Sequence, residues 1–432
     1  LAREMKQHRQ FGKQDRYWYS EMLFAALRFG YLAVFLEETF ARMETAPQAV
    51  ENAFLTRQME DFRRDIPDFP ALRLRWKSLP PERFFDWIAR RYAEAPAVFP
   101  LETGLTLPGE AGDLRSQCLA RCREWFTIGE DPRRRMLWNG VPLWFEEQLQ
   151  RRIHRSGWST DRVGQFLDRQ SYRPPLWLRF NYPQQRDEVL AELHAAGFQV
   201  QEEGPALRVQ GRKGIFELTA YRRGWVEIQD RASQRLGELV AARPGQMVWD
   251  CCAGGGGKTL QIATHPQGLR HRGAVYASDI REYKLRELRR RARRAQLANV
   301  RTLPWDGQTL PPFPGEVEKR GGFHWVLVDA PCSASGTWRR NPDAKFRFAP
   351  GALPEMVALQ KKLLSNASGG VRTGGHLVYA TCSWFVEENE DVVEDFLQNH
   401  PQFRLQEMGL FGNPEEDADT TFGAVMQRIA GE

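Results

Sequence analysis

Apolar side chains in the first third of the chain recur at helical spacing. Between positions 15 and 42, Trp18, Met22, Ala25, Ala26, Phe29, Leu32, Ala33, Leu36 and Phe40 share one face of a 3.6-residue period, and Asp15 stands where an N-cap would. The same pattern predicts helices over 49–64, 81–92, 114–126 and 142–154, parted by proline-rich breaks at 66–70, 79–81 and 95–108. From about Ser171 the period shortens. Positions 176–181 alternate as a strand, 186–196 form an amphipathic helix, and 200–201, 206–209 and 224–229 are short strands, together a small α+β module. Beyond Gly245, strands at 247–250, 274–278, 300–303, 325–328 and 376–379 alternate with helices, one from about Lys258 and one over 283–296. That rhythm predicts a mostly parallel sheet with helices on both faces, whose ligands would sit beyond the carboxyl ends of the strands.

Length and composition narrow the class. The 432 residues correspond to about three domains. A 42% hydrophobic and 27% charged chain with 36 Gly and 26 Pro is globular, neither collagen-like nor low-complexity. The most apolar run, 22–36, is interrupted by Arg28 and shorter than the ~20 residues a bilayer requires, so no membrane partner is expected. The first fourteen residues are polar and basic, unlike a secretory signal. Six cysteines, at 118, 122, 251, 252, 332 and 382, form no CxxC pair, and His265, His271, His324 and His376 form no metal set. A reduced cytoplasmic protein with free thiols and no metal is therefore expected. The net charge of +6 fits a polyanionic partner.

The chemistry concentrates at the strand ends. The loop Cys251-Cys252-Ala253-Gly254-Gly255-Gly256-Gly257-Lys258-Thr259 imitates a phosphate-binding loop, but that motif needs glycine where Cys252 stands, and the dinucleotide pattern G-x-G-x-x-G fails in both registers. Asp279, Asp306 and Asp329 each follow a predicted strand. A carboxylate about twenty residues after a glycine loop can hold ribose hydroxyls. Without a basic cage beyond Lys258, the set suits an adenosine cofactor that carries no triphosphate. Cys332 and Cys382 also follow predicted strands at one sheet edge. A thiolate there can add to an electron-poor pyrimidine ring while Asp329 assists by hydrogen bonding. Cys118 and Cys122, one helical turn apart, are read as packing, and the basic helix 281–294 as mostly a solvated face.

These segments resemble a known family. Positions 173–179 (RPPLWLR), 224–233 (GWVEIQDRAS), 250–259, 329–345 (DAPCSASGTWRRNPDAK), 374–383 (GGHLVYATCS) and 387–389 resemble the Nol/Nop/Sun RNA cytosine-5 methyltransferases over about 170–432. The ordered Pro-Cys and Thr-Cys pair is the most specific part. Positions 15–28 (DRYWYSEMLFAALR) are similar to the NusB-type helical domain found in that family. The resemblance implies an α/β Rossmann-like methyltransferase domain at 236–432, a linker and small α+β, RRM-like module at 141–235, and an all-helical NusB-like RNA-binding domain at 1–140. It implies S-adenosylmethionine as cofactor, held by Cys252, Ala253, Gly254, Gly255, Gly256, Gly257, Lys258, Asp279, Asp306 and Asp329. It implies Cys382 as nucleophile, Cys332 as the residue that helps release product, and Asp329 beside the ring. Arg339, Arg340 and Lys345, just after Cys332, become the RNA-binding candidates. The expected partner is RNA, ribosomal first and transfer RNA second, and a monomer is expected. The family has a small residue and proline where this chain has Gly254-Gly255, which exchanges a fixed φ for freedom at an entropic cost. A non-catalytic RNA-binding or ribosome-assembly protein with a degenerate cofactor loop is therefore the alternative.

Overall fold

The structure is a computed structural model that describes residues 12–45, 51–94, 113–211, 214–264 and 273–430. The proline-rich break at 95–108, the start of the helix expected at 49, and His265 and His271 lie outside the described residues. The chain divides into two compact units, Leu1–Arg173 with Trp338–Gly351, and Pro174–Thr337 with Ala352–Glu432.

The first unit is helical, with α1 (Lys13–Thr45), α2 (Asn52–Asp65), α3 (Phe69–Ser78), α4 (Pro81–Glu94), α5 (Leu114–Thr127), α6 (Pro132–Trp138), α7 (Glu146–Ser156) and α8 (Thr160–Asp168). By length and composition α1 could cross a membrane. Its apolar centre is instead the core of this unit: Phe29, Tyr31, Leu32, Phe35 and Leu36 are fully buried, and α1 packs chiefly on α4 and α5. Two readings change here. The expected break at 66–70 is a helix start, because Asp68 caps α3 by accepting from the Ala71 N–H at 2.9 Å and Pro70 occupies the first turn, where no N–H is needed. The residues expected to form a linker from 141 are helical to 168 and belong to this unit, which ends at Arg173.

The segment Trp338–Gly351 also belongs to the first unit. Phe346 stacks on Phe69 with centroids 5.2 Å apart, and Trp338 lies 4.8 Å from Phe145. The Lys345 ammonium donates to the carbonyls of Arg28 (2.8 Å) and Gly140 (2.5 Å). Burial and the neighbouring Arg28 push its pKa well down. The Arg339 guanidinium donates to Tyr172 O, and its own carbonyl accepts from Arg28 Nη2 at 2.7 Å. Arg339 is 1% and Lys345 3% exposed. The expectation that these two cations face RNA is therefore corrected. Their charges point inward and are satisfied by backbone carbonyls. Arg340 alone of the three is only half-buried.

The second unit carries two sheets. The smaller, in order β2-β3-β1-β4, joins β1 (Leu176–Phe180), β2 (Gln199–Glu203), β3 (Ala206–Gln210) and β4 (Val226–Ile228), all antiparallel. Leu178, Leu207 and Val226 pack there with Val189 and Leu193 of α9 (Arg186–Ala195). The larger sheet, in order β10-β11-β9-β8-β5-β6-β7, comprises β5 (Met247–Asp250), β6 (Ala274–Ala277), β7 (Val300–Thr302), β8 (Phe323–Asp329), β9 (Val371–Thr381), β10 (Phe403–Gly412) and β11 (Thr420–Arg428). β5 to β9 are mutually parallel, and β10 and β11 add an antiparallel hairpin at one edge. Alternate residues feed separate cores on the two faces, Trp249, Val326 and Tyr379 on one, Val248, Leu327 and Val378 on the other. Both faces are covered, as a parallel sheet requires. The hairpin, α13 (Leu353–Ser368) and α14 (Glu390–Asn399) were not anticipated, nor was the full eleven-residue length of β9. The longer of the remaining helices here are α10 (Arg231–Glu238), α11 (Gly257–Thr264) and α12 (Glu282–Arg294).

A buried polar chain ties the smaller sheet to the larger. Arg179 donates from Nε to Gln229 Oε1 (2.7 Å) and from Nη1 to Thr264 Oγ1 (3.1 Å), and Gln229 Nε2 donates to Gln261 Oε1 at 2.7 Å.

Candidate active site

The switch in strand order on either side of β5 opens a crevice at the carboxyl edge of the larger sheet, where ligands of such sheets bind. A cavity of about 800 Å³ occupies it. The glycine loop forms one wall, Asp279, Ile280 and Arg281 another, and Trp305, Asp306, Leu359 and Leu363 a third. Asp329, Cys332 and Cys382 lie at the cavity's end. Every residue expected to hold a cofactor except Gly256 lines this cavity, and so do both cysteines and Asp329.

Each wall has a local cause. The chain turns sharply from β5 into α11, with Gly254 at φ +54° and Gly256 at φ +85°. At Gly256 a Cβ would stand 2.7 Å from Leu288 Cγ and 2.9 Å from Leu260 Cδ1, so only glycine lets α11 and α12 approach here. At Gly254 and Gly257 a Cβ would meet nothing within 4 Å. Those two positions leave room on the cavity side. The loop is fixed by Gly254 N donating to Asp279 Oδ2 (2.9 Å) and by Arg291 Nη1 donating to Gly255 O (2.6 Å). The Gly254-Gly255 departure has thus not unravelled the loop.

Asp279 is almost fully buried, and its two oxygens accept from the Arg281 N–H (2.8 Å) and bidentately from the Arg281 guanidinium (2.9 Å each). Burial opposes ionisation, but the Arg281 hydrogen bonds outweigh it and hold the carboxyl below its usual range. Beneath the loop, Asp250 accepts from Thr259 Oγ1 at 2.6 Å, its Oδ1 has no hydrogen-bond partner among the described residues, and burial pushes it up to about 7. Asp306 is exposed and caps the Gln308 N–H at 2.8 Å.

The thiols meet at the far end. Cys332 Sγ and Cys382 Sγ are 3.2 Å apart. Contact with Cys382, followed by burial, raises the Cys332 thiol well above its ordinary value, so Cys332 keeps its proton. Lys258 Nζ lies 2.7 Å from Asp329 Oδ2. Burial works against its charge, yet Asp329 first and then the Cys382 sulfur and Asp250 hold it protonated.

Side chains to which the sequence assigned no role set this geometry. Glu388, fully buried, accepts from Ser333 N (2.8 Å), Ser333 Oγ (2.5 Å) and Gln360 Nε2 (3.0 Å). Ser335 Oγ meets Ser383 Oγ at 2.8 Å, and Gly336 N donates to Cys382 O at 3.0 Å. A Cβ at Gly336 would fall 1.8 Å from Thr420 O. Ala334 adopts φ +56°, a conformation costing about 1–2 kcal/mol in a residue with a Cβ. The two cysteine-bearing turns are thus stitched together by a buried network. Among the described residues no cluster of His, Cys, Asp or Glu could hold a metal ion.

A family profile described as 16S rRNA methyltransferase RsmB/F matches residues 238–429. The ribosomal RNA small subunit methyltransferase B of Yersinia pseudotuberculosis is 32% identical over 335 residues, covering 71% of this chain and 76% of that protein. The chain belongs to the RsmB/F methyltransferase family. The Erwinia tasmaniensis protein of the same name is 33% identical over 277 residues, 63% of this chain but only 61% of the relative's length. Among solved structures, PH0851 shares the fold with TM-score 0.60 at 22% identity over 94% of this chain and 98% of its own. NSun6 from Pyrococcus horikoshii, solved with SFG, does so with TM-score 0.55 at 16% identity over 66% of this chain and 98% of its own.

S-adenosylmethionine, the cofactor of the RsmB/F family, fits the residues present. Gly254 and Gly257 leave a cradle that a Cβ would fill, Asp279 and Asp306 offer carboxylates for hydroxyls, and Trp305, Leu359 and Leu363 form an apolar wall for a purine. The Arg281 side chain, half exposed, occupies both Asp279 oxygens in this structure.

Proposed function

We propose that this RsmB/F protein methylates C5 of a cytosine in RNA, with small-subunit ribosomal RNA as substrate and Cys382 as nucleophile. The observation that carries this reading is the pair of thiols in contact at one end of the cavity, 3.2 Å apart, with one of them held protonated. Cys382 Sγ forms a bond to C6, and the ring's electron pair moves toward C5. Lys258 keeps its positive charge in the same cavity, paired to Asp329. Asp329, anchored by Lys258 through one oxygen, accepts a hydrogen bond from the cytosine 4-amino group with the other and so orients the ring. Bound S-adenosylmethionine supplies an electrophilic methyl group to C5. Release requires the C5 proton to leave to solvent as the C6–S bond breaks, and the electron pair returns to Cys382. The Cys332 thiol stabilises that departing thiolate by donating a hydrogen bond to it. The target base has to reach the cavity unstacked.

Denaturing gels with labelled ribosomal RNA test the assignment. Cys382→Ala abolishes methylation and any covalent adduct, whereas Cys332→Ala accumulates adduct because addition proceeds and release does not. An adduct lost in Cys332→Ala and trapped in Cys382→Ala would reverse the two roles.

A further inference from the structure

A second, smaller cavity, which shares no lining residue with the first, is bordered by α12. It encloses about 250 Å³ and is lined by Phe216, Tyr221, Arg290, Arg291 and Arg294. Phe216 is 63% exposed and stands edge-to-face against Tyr221 at 5.0 Å. The Arg294 guanidinium covers the other ring at 4.0 Å. Among the described residues Tyr221 is its one ring partner, and most of the Phe216 side chain stays open.

The charges around it are unequal. Arg291 and Arg294 share one carboxylate, the buried Glu227. Arg290 forms no hydrogen bond or ion pair among the described residues, and Glu287, which its charge reaches, is itself paired with Lys284. Arg286 and Arg293, four residues before Arg290 and three after it on the same face of α12, are exposed and also unpaired among the described residues. The pocket thus combines an open aromatic face with excess positive charge. Arg291 belongs to this pocket and also holds the Gly255 carbonyl of the cofactor loop. Arg290 lies eight residues beyond Glu282 at the start of α12, about 12 Å along the helix axis.

We infer that this pocket binds one unpaired RNA nucleotide beside the target, its base stacked on Phe216 and its phosphate on Arg290 and Arg294. Stacking on an aromatic face with an arginine at the backbone is how single strands are held without sequence readout. A duplex presents no free base face. An acidic peptide would use the arginines and leave Phe216 idle. The inference rests on RNA being the substrate.

The test uses the full chain and short single-stranded RNA carrying 2-aminopurine, with anisotropy and fluorescence quenching read at several salt concentrations. Phe216→Ala is expected to weaken binding about five- to a hundredfold and abolish quenching at one position, while Phe216→Tyr retains both. Arg290→Ala is expected to weaken binding and flatten the salt dependence by about 0.7 in log–log slope. S-adenosylmethionine affinity by calorimetry stays unchanged in all three, which shows that they fold. Unchanged RNA affinity and quenching in Phe216→Ala, or equal affinity of the wild type for the paired duplex, would overturn the inference. Loss of oligonucleotide response with no adduct or methylation by the wild type would instead keep the pocket and remove the proposed reaction.

Discussion

Glu388 is the carboxylate on which the Cys332 turn depends. Glu388→Ala removes three bonds to a buried charged group, each contributing about 1.5–3 kcal/mol. Not all of that is lost. The Ser333 hydroxyl still has Ser383 Oγ at 3.2 Å, and Gln360 Nε2 still has Pro331 O at 2.9 Å. Only the Ser333 N–H is left without a partner. The net cost is therefore about 3–5 kcal/mol, at the upper end of single-residue effects. At about 2–4 °C per kcal/mol for a unit of this size, the melting transition of the second unit falls by about 6–20 °C. Glu388→Gln behaves differently, because its carbonyl oxygen can accept from both Ser333 N and Gln360 while its amide nitrogen donates to the Ser333 hydroxyl. Its fall is less than half as large. Calorimetric melting of wild type and both variants, paired with single-turnover methylation, reads the effect. Adduct decay slows in proportion to the loosening of the turn, more in Ala than in Gln. An alanine variant that melts with the wild type, or a glutamine variant as damaged as alanine, would refute this account of the network.

Two further outcomes follow from the cavity. Asp279→Ala removes the carboxylate at the ribose position and is expected to weaken S-adenosylmethionine binding about ten- to a hundredfold in calorimetric titration, the worth of bonds to a charged group; unchanged affinity takes Asp279 out of the site. Asp250, held near 7 by burial against about 3.9 when unfolded, binds more proton in the native state than in the unfolded one across that interval, so stability falls as pH rises from about 4 to 7. Asp250→Asn removes that slope, and a denaturant series at several pH values showing the same slope in variant and wild type would sink the assignment.

The parts of this protein legible in the sequence are those where local pattern and function coincide. Asp250, Asp279 and Asp329 end apolar runs, and Gly254 and Pro331 follow closely after the first and last, so strand ends and ligand positions are marked together. The hairpin was illegible because its pairing is long-range and its alternation broken. A register shift between Leu405 and Glu407 and the glycines at 409, 412 and 423 blur the period of two. Pro70 reads as a break unless one sees Asp68 capping behind it. Arg339 and Lys345 read as surface cations because charge is ordinarily solvated, and no pattern in the chain announces the carbonyls of Tyr172, Arg28 and Gly140 that receive them. Glu388 lay within a motif recognised by resemblance, but its partners Ser333 and Gln360 are 55 and 28 positions away.

The passage of the chain through both units has a consequence for how the molecule is made. Synthesis delivers helices α1 to α8 first, yet the Arg28 carbonyl meets its Lys345 amine only across 317 positions of sequence. At about 5–20 residues per second, roughly 10–35 s separate the emergence of Arg173 from that of Gly351. During that interval the nascent helical unit lacks Trp338 and Phe346, and the apolar surfaces of Phe69, Trp76 and Phe145 wait uncovered. The earliest part of the chain to leave the ribosome is thus completed only after most of the parallel sheet has followed it out.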